Sequence, residues 1–208
     1  NSVPDDTGGT IIDFDVIEQD KENIQAIPQG RSASALHSIL SLRDNERSKK
    51  LRDGRAYHER RIASIDLEND HDPLDAYHQY ACWLIEHYPQ SLATQESGLV
   101  KLLEKATEMF KAFRRYRNDA RYVSMWIKYA ELERSTAAGA DTQEDVFEYM
   151  RNNEIGLDLA LYYEEYARVL ELHGKHQKAD LVLKQGIAHG ADPVVRLKRR
   201  YEEFQQRV

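Results

Sequence analysis

The chain has 208 residues, of which 29 are basic and 36 acidic, giving a net charge of -7, and it holds a single cysteine, Cys82. This acidic balance argues against a protein that binds nucleic acid over its whole surface, because such binding needs a basic footprint. One cysteine excludes an internal disulfide, and no apolar run approaches the length of a membrane span. We therefore expect a soluble intracellular protein, with no nucleic acid or membrane among its partners.

Residues 1–30 are predicted to form an acidic tail that is disordered when free. They contain seven acidic residues and one lysine, a net charge of -6, together with three glycines and two prolines. Such a segment buries too little apolar surface to offset the entropy that ordering costs. The tripeptide Lys21-Glu22-Asn23 lies near the end of this tail.

Residues 31–64 reverse the charge, with nine basic and four acidic residues and a net charge of +5. Apolar residues recur at helical spacing in two stretches, the first around Leu36, Ile39 and Leu40 and the second from Leu51 to Ile65. This favours a basic helix-loop-helix arm whose loop covers residues 43–48, with Ser48 as the N-cap of the second helix. A single long helix, weakened at Gly54, is the alternative.

Residues 65–208 are predicted to form the helical body, since 17 of the 19 aromatic residues follow from Tyr77 onward. Seven apolar stripes at helical spacing begin at Leu74, Leu99, Val123, Val146, Leu159, Ala179 and Leu197. The breaks between them are predicted at Pro73, Pro89, residues 137–140, Gly156, Gly174 and Pro193. No strand pattern of useful length occurs.

An internal repeat organises these helices. The pattern aromatic-x-x-Tyr-Ala occurs three times, ending at Ala81, Ala130 and Ala167. Small residues at fixed positions let paired helices approach closely, as in tetratricopeptide repeats. The predicted fold is therefore all-α, a divergent tetratricopeptide-like helical repeat array preceded by the arm and the tail. An ordinary all-α bundle with coincidental Tyr-Ala pairs is the alternative.

The sequence lacks the motifs of common enzymes, having no phosphate-binding glycine loop, Gly-x-Ser-x-Gly or His-Glu-x-x-His. His173 and His176 are spaced as a ligand pair, but no further ligands complete a metal site, so they are interpreted as loop histidines. Cys82 is expected to be a buried packing residue. Four arginines between Arg114 and Arg121 are expected to form a solvated helix end rather than a nucleic-acid site. We expect no enzyme, no cofactor and no metal.

Several short stretches coincide in order and spacing with a known family. They are Lys21-Glu22-Asn23-Ile24-Gln25, Gln29-Gly30-Arg31, Asp72-Pro73-Leu74-Asp75, Gln177-Lys178-Ala179-Asp180 and Phe204-Gln205-Gln206-Arg207-Val208. Across about residues 18–208, the chain closely resembles the N-terminal tetratricopeptide region of the spindle-assembly-checkpoint Mad/Bub family. One departure is Ala26, where the family often has proline three residues after the Lys-Glu-Asn box.

The resemblance implies a function for the box. In this family it binds the WD-repeat propeller of the coactivator of the anaphase-promoting ubiquitin ligase, as a pseudo-substrate inhibitor within the mitotic checkpoint complex. The family's helical arm and first repeat also meet a HORMA-domain checkpoint protein. A Bub-type checkpoint partner or a kinetochore scaffold peptide is a further partner that the resemblance suggests, and it implies a location in the nucleus and at the kinetochore, with the cytoplasm as a further one.

The chemistry of the box suits recognition by a small pocket. A cation, an anion and a two-way amide follow one another, so a partner can bind each polar group in turn. The predicted partner-binding residues are Lys21, Glu22, Asn23, Ile24, Gln25, Ile27, Leu36, Ile39 and Leu40. Two alternatives stay open: the tripeptide is incidental, or the repeats bind a kinetochore peptide while the box is the protein's own degradation signal.

Overall fold

The structure is a computed structural model that describes residues 44–88, 92, 94, 96–133 and 140–208. These residues form eight α-helices and a 3-10 turn at Arg114–Tyr116, and they contain no β-strand. The helices are α1 (Asp44–Ala63), α2 (Pro73–His87), α3 (Leu99–Phe110), α4 (Ala120–Glu133), α5 (Ala140–Asn152), α6 (Ala160–Leu172), α7 (His176–His189) and α8 (Val194–Arg207). The predicted all-α class is confirmed.

The helices pack as a regular array rather than an irregular bundle. We call α2, α4, α6 and α8 the A helices and α3, α5 and α7 the B helices. Each A helix contacts the next A helix, and each B helix contacts the A helices before and after it. Helix α1 packs on α2 at one end of the array. This order is that of a tetratricopeptide-like array, as the sequence predicted.

Small residues lie where the helices approach most closely. Ala81, Ala130 and Ala167, which end the three aromatic-x-x-Tyr-Ala patterns, are each at most 2% exposed. At Gly186 in α7, an added Cβ would lie 2.5 Å from Cγ of Tyr163, so only glycine fits against that ring. The alanines of the pattern are therefore buried, as expected where paired helices approach closely.

Two A helices each have a tyrosine near their start that bonds to the preceding B helix. The sequence patterns did not predict this contact. The Tyr122 hydroxyl donates to the Thr107 carbonyl at 2.6 Å, and the Tyr162 hydroxyl donates to the Phe147 carbonyl at 3.1 Å. Each bond ties the third residue of an A helix to the preceding B helix, 15 residues back in the chain. Both rings are buried, so each hydroxyl needs such a partner.

The predicted helix breaks agree with the structure wherever it describes them. Pro73 opens α2, and Gly156 and Gly174 have positive φ angles of 78° and 70°, which glycine adopts without strain. Pro193 directly precedes α8. The predicted breaks at Pro89 and at residues 137–139 lie outside the described residues, and Ala140, predicted to lie in the break, is the first residue of α5.

The start of α1 corrects the prediction for the arm. Residues 44–48 were expected to be loop, with Ser48 as a cap, but α1 runs from Asp44 and Ser48 lies inside it. Long charged side chains are good helix formers, and Arg60 and Arg61 in the last turn suit the negative end of the helix dipole. The absence of apolar residues therefore did not mark a loop. The first stretch of the arm, residues 31–43, lies outside the described residues.

Candidate functional site

The joint between α1 and α2 connects the arm to the array, and it depends on Gly54. A Cβ at residue 54 would lie 2.4 Å from Cζ2 of Trp83 and 2.9 Å from its Cε2. Glycine therefore lets α1 lie directly against the indole ring. Gly54, predicted to weaken a helix, is instead the residue at which two helices approach closely.

Next to Gly54, aromatic and imidazole rings form a stack across the joint. His58 is 8% exposed, and its ring lies parallel to Tyr80 with the ring centres 5.1 Å apart. The centre of the Trp83 ring lies 5.4 Å from the centre of the His58 ring and 4.6 Å from the centre of the His87 ring. Burial lowers the pKa of both His58 and His87, so these imidazoles are neutral at pH 7. The stack thus behaves as an apolar contact.

Two arginines add polar contacts on either side of this stack. Arg55 donates to the carbonyls of Glu96 at 2.9 Å and Ser97 at 3.0 Å, and its guanidinium lies 4.9 Å from the centre of the Tyr88 ring. Arg61 pairs with Asp75 on α2 at 3.0 Å. The second half of α1 is therefore fixed to the array by both rings and charges.

The predicted partner-binding residues all precede α1. Lys21, Glu22, Asn23, Ile24, Gln25, Ile27, Leu36, Ile39 and Leu40 lie outside the described residues. Asn23 lies 21 residues before Asp44, the first residue of α1. The predicted partner-binding residues thus precede, in the sequence, the helix that the α1–α2 joint fixes to the array.

Arg121 forms a charged cluster with three aspartates, which corrects its expected position at a solvated helix end. Its guanidinium lies 2.6 Å from Asp72, 2.7 Å from Asp119 and 3.6 Å from Asp75. Burial alone would raise the pKa of Asp72, but the hydrogen bond and the charge of Arg121 hold it below its usual value. The cluster joins the start of α2 to the start of α4.

Two of the neighbouring arginines, Arg114 and Arg115, agree with the prediction for them, whereas Arg117 pairs with Glu154 at 2.7 Å. Arg114 and Arg115 are exposed, and the Arg115 guanidinium lies 4.7 Å from the centre of the Tyr116 ring, which its side chain covers. The outcome for Arg121 differs because its partner Asp72 is 49 residues away in the chain. No local pattern contains that pairing.

Arginine–carboxylate pairs also join the later A helices. Arg168 on α6 lies 3.4 Å from Glu131 on α4, and Arg207 on α8 lies 2.8 Å from Glu171 on α6. Arg196 on α8 forms a bidentate pair with Glu164. Charged side chains of α6 and α8 line a groove beside this last pair: Glu164, Glu165, Arg196, Arg199, Arg200 and Glu203.

A more apolar groove lies between α7 and α8 at the other end of the array from α1. Leu181 is 57% exposed, and the buried ring of Phe204 also lines the groove. Gln177 and Gln205 flank the groove and offer amide groups to a bound backbone.

The described residues show no grouping suited to metal binding. Within these segments, no cluster of three or more His, Cys, Asp or Glu side chains is arranged to hold a metal ion. Burial raises the pKa of the half-buried Cys82 thiol to about 11, so it is protonated and unreactive at pH 7. No helix in the described part of the chain is long and apolar enough to cross a membrane.

Comparison with known proteins places these features in a family. The model of the family described as Mad3/BUB1 homology region 1 matches residues 53–187. The mitotic spindle checkpoint component mad3 of Schizosaccharomyces pombe is 36% identical over 98% of this chain and 63% of its own length. The human mitotic checkpoint serine/threonine-protein kinase BUB1 beta is 31% identical over 95% of this chain, but over only 18% of its own length. The chain thus spans under two thirds of these relatives.

A solved structure agrees with the sequence relatives. A chain in the crystal structure of a mitotic checkpoint complex matches with a TM-score of 0.75 and 35% identity, over 94% of this chain and 87% of that chain. Fold and sequence similarity therefore cover the same extent.

Proposed function

The chain belongs to the Mad3/BUB1 homology region 1 family, and we propose that it is a spindle-checkpoint component that inhibits the anaphase-promoting complex. In this proposal, Lys21-Glu22-Asn23 binds the WD-repeat propeller of the coactivator as a pseudo-substrate. The observation that carries the proposal is the 94% match to a chain of a solved mitotic checkpoint complex. The box standing before a helix fixed to the array supports the same mechanism.

The proposed mechanism is competition rather than catalysis. Degradation substrates carry the same box, so a chain that occupies the propeller pocket without being released blocks their access. Ile24 and Ile27 would add apolar contacts beside the three polar groups, and Leu36, Ile39 and Leu40 would meet a HORMA-domain partner. A nuclear and kinetochore location follows from this role.

Changing Lys21, Glu22 and Asn23 together to alanine tests the proposal. Hydrogen bonds to charged groups contribute about 1.5–3 kcal/mol each, so we expect propeller affinity to fall by at least about a hundredfold in titration calorimetry. The melting temperature of the body should not change. Ser2→Ala, Thr7→Ala and Thr10→Ala together make a matched control in the same tail. Equal affinity of both triple variants for the propeller would contradict the proposal.

The apolar groove between α7 and α8 supports a second candidate function. There the array would bind a kinetochore scaffold peptide, and the box would mark the protein itself for degradation. Leu181→Asp should then abolish peptide binding and leave propeller binding intact, whereas Leu172→Asp, at an equally exposed leucine outside the groove, should change neither. Loss of peptide binding in both variants would argue against the groove.

A further inference from the structure

Helix α8, at the end of the array away from α1, exposes one of its faces to solvent. Its buried residues, Leu197 and Phe204, lie on the side that packs on the array. The opposite side carries four exposed residues at the spacing i, i+4, i+7 and i+11, namely Val195, Arg199, Glu202 and Gln206. Residues at this spacing share one face of a helix, so we call these four the outer stripe.

The charges of α8 are ordered along its length. Its first half carries the basic residues Arg196, Lys198, Arg199 and Arg200, and the acidic residues Glu202 and Glu203 follow them. The first turn of α8 holds no acidic residue, although the positive end of the helix dipole favours one there. This order is therefore not the one that best stabilises α8 by itself.

The same order makes the outer stripe complementary to a reversed copy of itself. When two α8 helices lie antiparallel with position 200 of each opposite position 201 of the other, Arg199 of each copy faces Glu202 of the other copy. Val195 of each copy then faces the aliphatic part of Gln206 of the other. Two pairs of opposite charge thus lie at the centre of the contact, about 4.5 Å apart along the helix axis. A surface that matches itself in this way suits a twofold interface.

We propose that α8 is a self-association surface, at which two copies of this chain pair antiparallel through the outer stripe. The inference goes beyond the proposed function and does not depend on it. Because α1 packs at the opposite end of the array, the α1–α2 joint stays uncovered in both copies. A helix of 14 residues is about 21 Å long, so the contact buries less than the about 800 Å² per partner of a standard interface. The pairing is therefore weak and reversible.

Sedimentation equilibrium of the unaltered chain tests whether it pairs. Between about 10 μM and 1 mM chain, we expect a monomer–dimer equilibrium with a dissociation constant on the order of 100 μM. Raising the ionic strength from about 0.05 M to 0.5 M should weaken the dimer by about tenfold, because the central pairs are exposed to solvent before they meet. A chain that stays monomeric over this range overturns the proposal and leaves α8 as a polar cap of the array.

Charge reversal tests which residues meet. Arg199→Glu and Glu202→Arg should each abolish the dimer, because like charges then face each other at both central positions. An equimolar mixture of the two variants should dimerise as well as the unaltered chain, since every reversed charge then meets an opposite one. Lys101→Glu, at an exposed site on α3, changes the net charge as much as Arg199→Glu and should leave the dimer intact. Dimerisation of either α8 variant alone, or no dimer in their mixture, overturns the proposal.

Discussion

His58 shows how one polar residue takes an apolar position when its ring is stacked and neutral. Its ring lies against Tyr80 and Trp83 with 8% of the residue exposed, and its Nδ1 is buried without a hydrogen-bond partner in the described structure. A protonated imidazole in this place would lack the water that stabilises its charge. The nearby Arg61 makes that charge less favourable still.

The stability of the α1–α2 joint should therefore depend on pH. The pKa of His58 is lowered in the folded chain, so the unfolded chain binds the proton more readily. Stability is then complete above the unfolded value of about 6.5 and decreases as the pH falls below it. We expect the melting temperature to decrease between pH 7.5 and 5.5, and to decrease less in His58→Phe, in differential scanning calorimetry.

This pH range separates the histidines from the carboxylates, whose usual pKa values lie near 4. His71→Gln, at an exposed site before α2, is the matched control and should keep the full pH dependence. A residual dependence in His58→Phe is expected, because burial also lowers the pKa of His78 and His87. An identical pH dependence in His58→Phe and the unaltered chain would show that this ring is not desolvated.

At the scale of the helix, two opposing effects determine how glycine at position 54 changes the stability of the chain. Glycine in a helix interior costs about 1 kcal/mol relative to alanine. At this position, however, a methyl group would meet Trp83 at 2.4 Å, and the indole is held by His58 and His87. Overpacking of this kind costs about 1–3 kcal/mol, so the contact between helices outweighs the helix propensity.

Gly54→Ala should accordingly destabilise the chain by about 1 kcal/mol in chemical denaturation, although propensity alone predicts stabilisation. The same substitution in a Trp83→Leu background provides the control. With the indole gone, Gly54→Ala should become neutral or stabilising, because only the propensity effect remains. If Gly54→Ala destabilises the chain equally in both backgrounds, the cause lies within α1 and not in the contact with Trp83.

The sequence predicted those elements whose signal is local. Apolar spacing and the Tyr-Ala pairs identified the helices of the array, because burial of one face leaves a periodic pattern. It did not predict that Ser48 lies inside α1, since a charged helix that extends into solvent has no apolar stripe. Nor did it predict the Arg121 cluster, whose partners Asp72 and Asp75 come from another repeat. The nine predicted partner-binding residues stay predictions.

At the scale of the whole molecule, the array is nearly one-dimensional, since the main contacts of each described helix are with its neighbours along the row. The arm lies at one end and the groove of Leu181 and Val208 at the other. A change at one end therefore reaches the other end only through the successive A and B helices of the row. Partner binding at the arm is expected to leave the distant groove available.

The first stretch of the arm provides a test at this scale. Leu36→Asp with Leu40→Asp should weaken assembly of the chain with the propeller and the HORMA-domain protein, because an apolar stripe on a helix needs a surface to cover it. The melting temperature of the body should stay the same. Normal assembly together with earlier melting would assign this stripe to the chain's own core.

The hydrogen bonds of Tyr122 and Tyr162 mark a structural unit that recurs along the array. These two residues are 40 positions apart, and each ties its A helix to a backbone carbonyl rather than to a particular side chain. A backbone acceptor is present whatever the preceding helix is made of, so the contact survives divergence of the sequence around it. Duplication of one such unit would lengthen the row without altering its joints.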